Sequence, residues 1–123
     1  MASWEEVRSF MRNNYVVNDE SEDGSVLTLI FDDGGKRTQL MHVALSGEWI
    51  LMASPFAKVG HVTHAQALDS AEMFGARIIG DTHYLVHYQL LATVDTDEMK
   101  KPMGMLAFQA DQIELRLLGT DQL

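Results

Sequence analysis

The chain has 123 residues, no cysteine, 46% apolar residues and a formal net charge of −9 from nine basic and 18 acidic side chains. That length fits one domain, residues 1–123, around a single core, with enough apolar content to exclude global disorder. The missing cysteines exclude disulfide staples, thiolate zinc sites and thiol nucleophiles, and the acidic excess excludes nucleic acid and anionic membrane surfaces as natural partners.

At the N-terminus, MASWEEVRSF puts acids where a signal peptide needs a basic region, and no run reaches the length of a membrane span. A soluble, cytoplasmic protein is expected. Ser3 and Glu6 form an S-x-x-E capping box, followed by Trp4, Val7, Phe10 and Met11 on one helical face, so the first helix is predicted from about Ser3 to Arg12. NDESEDGS, residues 18–25, reads as an acidic solvated turn.

From Ser25 the pattern turns extended. VLTLIF is a strand, DDGGK a hairpin signal, and RTQLMHVAL and EWILMAS are two more strands joined across a short Ser-Gly turn, with Pro55 expected to stop the third. HAQALDSAEMFG is predicted as a second helix ending at Gly75, with Ala67, Leu68, Ala71 and Phe74 on one stripe. ARIIGDTHYLVHYQLLATV supplies one or two further strands; in the longer one Tyr84, Val86, Tyr88 and Leu90 share a face opposite His83, Leu85, His87, Gln89 and Leu91. Met99, Met103, Leu106, Ala110, Ile113 and Leu117 then recur at intervals of four and three, a closing helix stopped by Gly119, with a break or late start expected at Pro102 and Gly104. The order helix, three-stranded meander, helix, one or two strands, helix belongs to the α+β class, with helices on a twisted antiparallel sheet.

Candidate chemistry is sparse. His83 and His87 lie four apart on a strand, roughly 13 Å along it, too far for one metal ion to bridge. His61 and His64 begin a helix without a companion carboxylate at a recognised spacing, and His42 stands alone. No metal and no cofactor are expected. The Gly-Gly pair in DDGGKR lacks phosphate-loop spacing, and no serine stands in a nucleophile elbow. Methionine is abundant, with eight residues; Met41, Met52, Met73, Met99, Met103 and Met105 fit either core packing or a surface that repacks against varied apolar partners.

Arg37-x-Gln39, Glu48-Trp49 and Ser54-Pro55, then Gly80-Asp81, HYLVHYQLLA and ADQIELRLLGTD with Ala110, Asp111, Glu114, Gly119 and Asp121, resemble the YbjN-like branch of the type III secretion chaperone superfamily over most of the chain. The resemblance implies the same α+β element order. It also implies a small acidic non-enzymatic homodimer that holds a segment of a protein or peptide client, with the second helix and adjoining strands in the subunit contact. It transfers no catalytic residue, and nothing in the sequence identifies the client.

On this reading the Trp49–Ser54 strand has one face on its own helices and the other against a twin subunit or a client peptide. Trp49, Leu51, Met41 and Met52 are the expected peptide contacts, Trp49 fitting a groove anchor or a core position alike; Leu68, Ala71 and Phe74 are the expected dimer interface. The competing expectation is a regulatory subunit or small-ligand domain with a pocket lined by His83, His87 and Tyr88.

Overall fold

The computed structural model describes residues 3–32, 38–71 and 74–118. Helix α1 (Trp4–Asn14) starts where the capping pattern puts it, the Glu6 amide donating to Ser3 Oγ at 3.1 Å, and buries Val7 and Met11. Strand β1 (Val16–Glu20) follows at once, inside what reads as an acidic turn. Glu20 has partners that the local sequence does not reveal: its Oε1 accepts from Arg8 at 2.5 Å and Arg12 at 2.6 Å, both on α1. Those guanidinium bonds, Arg12 first, hold the Glu20 carboxyl below the usual glutamate range. The turn itself shrinks to residues 21–25, where Asp23 accepts from the Ser25 hydroxyl and amide and the Ser21 hydroxyl, bonds that lower its pKa to about 2.

Strands β2 (Val26–Asp32), β3 (Thr38–Ser46) and β4 (Trp49–Lys58) form the expected meander, and β5 (Gly75–Ile79) and β6 (Thr82–Leu90) complete a six-stranded antiparallel sheet in the order β1-β2-β3-β4-β6-β5. Gly47, at φ +60°, is first in the two-residue β3–β4 loop, where a type II′ turn calls for glycine. Pro55 does not end β4. The ladder to β6 shifts between Pro55 and Ala57, so the missing N–H falls at an irregularity, while the Pro55 carbonyl accepts from Gln39 Nε2 at 2.6 Å.

Helix α2 (His64–Ser70) opens with a complete capping box between Thr63 and Gln66. It is shorter than its apolar stripe predicts. Ser70 Oγ bonds back to the Gln66 carbonyl at 2.9 Å and Ala71 is already extended, which leaves Phe74 outside the helix. Two 3₁₀ turns (Leu91–Thr93 and Thr96–Met99) lead into α3 (Lys100–Leu118). Pro102 lies in the first turn of α3, where amides have no intrahelical partner, and the helix runs from Lys100 through Pro102 and Gly104, so neither the expected break nor the late start occurs there. Most of the DDGGK hairpin, Met73 and Gly119 lie outside the described residues.

All three helices feed one core. Val7 and Met11 of α1, Ala67 of α2, and Met103, Leu106, Ala107, Ala110 and Ile113 of α3 pack with Leu27, Leu29, Met41, Val43, Ile50, Met52, Phe56 and Leu85 of the sheet. At roughly 1.5–3 kcal/mol for each large apolar side chain removed from water, this layer dominates the folding free energy.

Candidate protein-binding surface

Period-2 alternation sends the other half of each strand to the opposite side of the sheet. The ladder pairs Val26 with Ala44, Ala44 with Leu51, and Leu51 with Tyr88 in one row across the strands. A second row runs Thr28, His42, Ala53, Val86 and Gly75. Val16 pairs with Ile30 and Ile30 with Leu40 on one flank, Pro55 with Tyr84 further along, and Ser46, Trp49 and Leu90 close the other flank. No residue of these rows belongs to the core cluster or packs against it. The helices of the core lie on the other side; on this face Ala53, Pro55 and Val86 are buried, Val16, Trp49 and Tyr88 are exposed, and Thr28, His42, Ser46 and Arg77 add polar groups to an otherwise apolar surface.

The sequence-predicted contacts divide between the two sides. Trp49, 47% exposed, and Leu51, half-buried, stand on the open face. Met41 and Met52 are fully buried on the helix-covered face and do not join them, because each is an odd number of positions from its open-face strand neighbour. Methionine in general is core here: Met11, Met41, Met52, Met99 and Met103 are all fully buried. On α2 the predicted stripe does not form one surface. Leu68 is 49% exposed, whereas Ala71 and Phe74 pack inward, Phe74 edge-on to the His87 ring at 5.6 Å.

His64 and His83 stack on each other, but the predicted trio of His83, His87 and Tyr88 does not converge. His83 is buried with its ring between Phe56 at 6.0 Å and His64 at 6.1 Å, and His87 shares that covered side, while Tyr88 points to the open side and accepts from Arg77 at 2.6 Å. A common pocket for His83, His87 and Tyr88 is ruled out by the pleat. His42 stands in the middle of the open face, Nδ1 2.9 Å from Thr28 Oγ1 and its ring 5.7 Å from that of Tyr84. Burial lowers the pKa of both His42 and His87. Among the described residues no group of three His, Asp or Glu is placed to hold a metal ion, and no helix is long and apolar enough to cross a membrane.

Two short motifs that look unrelated in sequence meet in space. Gln39, 4% exposed, donates from Nε2 to Ser54 Oγ at 2.8 Å and to the Pro55 carbonyl, and Ser54 Oγ donates in turn to the Leu40 carbonyl at 2.6 Å. Gln39 of the first motif and Ser54-Pro55 of the second are thus two ends of one buried hydrogen-bonded joint between β3 and β4. The two side chains lie on the same face of neighbouring strands, a pairing legible once the register is known.

No protein-family model matches the chain, and no curated protein does. Among solved structures, one described as the crystal structure of the ExsC–ExsE complex matches with a TM-score of 0.64 and 15% identity, over 95% of this chain and 97% of that chain. What the two share at that identity is the fold, an antiparallel sheet with helices at the N-terminus, middle and C-terminus.

Proposed function

We propose that this protein is a non-enzymatic, chaperone-like protein-binding module that works as a homodimer and holds a protein or peptide client. The observation that supports it is the uncovered apolar sheet face. Six strands about 4.8 Å apart and about seven residues long at roughly 3.3 Å each give a plan area near ~550 Å² before side-chain relief is added. That plan area is on the scale of the ~800 Å² per partner of a standard interface and at the upper end of the largest patch an ordinary monomer leaves open. A face six strands wide is broader than one extended peptide covers, which favours a second folded surface, and a twin subunit supplies one through two-fold symmetry. Trp49, Leu51, Tyr84 and Tyr88 are the residues placed to meet it. Leu68 on α2 remains a second, smaller contact candidate.

The solved structure that shares this fold is a complex of two named proteins, which agrees with a protein-holding role, as does the resemblance to type III secretion chaperones in the residues that build the β3–β4 joint. Acrylamide quenching in a Trp4→Phe protein isolates Trp49 as reporter. Trp49 is expected to be shielded at high protein concentration and to become accessible on dilution; accessibility that does not change with concentration counts against the open face as subunit contact.

A further inference from the structure

A single histidine stands in the middle of the open sheet face. His42 on β3 lies in register with Thr28 on β2 and Ala53 on β4, with two strands of the sheet on one side of it and three on the other. It is half-buried, with Nδ1 2.9 Å from Thr28 Oγ1 and its ring 5.7 Å from that of Tyr84 on β6. Burial alone lowers its pKa from the ordinary 6.5 before any second subunit arrives. The charged groups that share the face keep to its margins. Asp19 on β1 is exposed and in register with Thr28, two strands or roughly 9.6 Å from His42. Asp32 ends β2 opposite Thr38, four residues or roughly 13 Å along β3 from His42. Arg77 on the edge strand β5 is bonded to the Tyr88 hydroxyl, and Asp81 in the β5–β6 turn pairs with Lys58. Tyr84, whose pKa is raised by burial, stays neutral wherever histidine titrates. Among the described residues, no carboxylate on this face is placed to hold a proton on the His42 ring.

A two-fold contact uses the same patch on both subunits, so closing the face takes two copies of His42 out of water together. An imidazolium there would lose its hydration with no opposite charge to replace it, whereas the neutral ring keeps its Thr28 bond. The paired form therefore takes neutral His42, and each released subunit can bind one more proton as the pH falls. The rest of the chain pulls the other way. Its net charge of −9 shrinks on acidification, which reduces the repulsion between two like subunits and favours association. The two effects have opposite signs, so the direction of the pH dependence separates them.

We infer that His42 makes subunit association proton-linked: the contact between open sheet faces requires the neutral imidazole, and mild acid releases folded subunits with that face uncovered. This rests on the subunit contact proposed above and adds to it a switch at a named residue.

The test measures the dimer dissociation constant by sedimentation over a dilution series, at about pH 7.5 and about pH 5.5, for the wild type, His42→Gln and His87→Gln, with far-UV circular dichroism on each sample. With one proton gained per released subunit, the wild-type constant should rise at least about fivefold at the lower pH. His87→Gln, altered on the helix-covered side, should rise as much, and His42→Gln should stay level or fall. A second measurement needs no variant: the His42 ring signals in a ¹H–¹³C spectrum should titrate at a lower pH in protein at about 1 mM than at about 20 µM. A wild-type constant that is level or falls with acid, an equal rise in His42→Gln, a His42 titration indifferent to concentration, or loss of the dimer together with the circular dichroism signal each overturns the inference and leaves the subunit contact standing. A wild type that is monomeric at both pH values overturns the two together.

Discussion

Trp49 and Ile50 are chain neighbours on opposite sides of β4, so truncating each to alanine compares the two faces at one point of the backbone. Ile50 is fully buried between the sheet and the helices, and Ile50→Ala is expected to cost about 2–5 kcal/mol through lost transfer free energy and the cavity left behind. Trp49 already has 47% of its surface in water. With roughly 200 Å² for the side chain, the covered part is about 100 Å², and at about 25 cal/mol/Å² the upper bound is ~2.5 kcal/mol. Alanine keeps part of that contact and the unfolded chain is not fully extended, so about 1–1.5 kcal/mol is expected for Trp49→Ala in the single subunit. Urea unfolding followed by far-UV circular dichroism, at the lowest workable protein concentration, measures both with subunit association contributing least. Raising the concentration should then widen the Trp49→Ala deficit and leave the Ile50→Ala deficit unchanged. Equal losses for the two variants at every concentration would refute the assignment of Trp49 to an open face.

The joint between β3 and β4 predicts that Gln39→Leu costs about 1–3 kcal/mol in the same urea assay, because the buried Pro55 carbonyl loses its 2.6 Å donor; a neutral result would mean water replaces the amide there. Acid should also weaken the fold. His42 and His87 have pKa values below 6.5 in the folded chain, so the unfolded chain binds more protons once the pH falls below about 6.5; their contribution is complete above that value and shrinks as the pH drops towards the folded-state values. Urea midpoints should therefore be flat from pH 8 to 7 and decline from 6.5 to 5, and the decline should lessen in a His42→Gln, His87→Gln protein.

The fold class was legible because its determinants are local. The capping residues of α1, the extended patterns of β2, β3, β4 and β6, and the four-three spacing of α3 each act within a few residues of chain. What was hidden depends on partners distant in sequence. Strand β1 holds acids because Arg8 and Arg12 approach it from α1, and β4 runs through Pro55 because β6 and Gln39 accommodate it. The same distinction applies to the site. Trp49 and Leu51 are one parity of β4 and were legible as a pair, but whether Met41 and Met52 join them is decided by the β3–β4 register, which places both in the core. The α2 stripe failed for another reason: helix length was read from apolar spacing alone, and the serine that turns back on Gln66 ends the helix before Phe74 reaches it.

The claim that the open sheet face is where subunits meet is tested most directly by sedimentation velocity on three proteins at about 20 µM: wild type, Leu51→Glu and Leu68→Glu. A glutamate at position 51 puts an unpaired charge in the middle of the apolar rows while leaving the helix-covered core untouched. The account predicts a dimer for the wild type, a folded monomer for Leu51→Glu and a dimer for Leu68→Glu. A wild-type monomer, or a Leu51→Glu protein that sediments as a dimer, would contradict it.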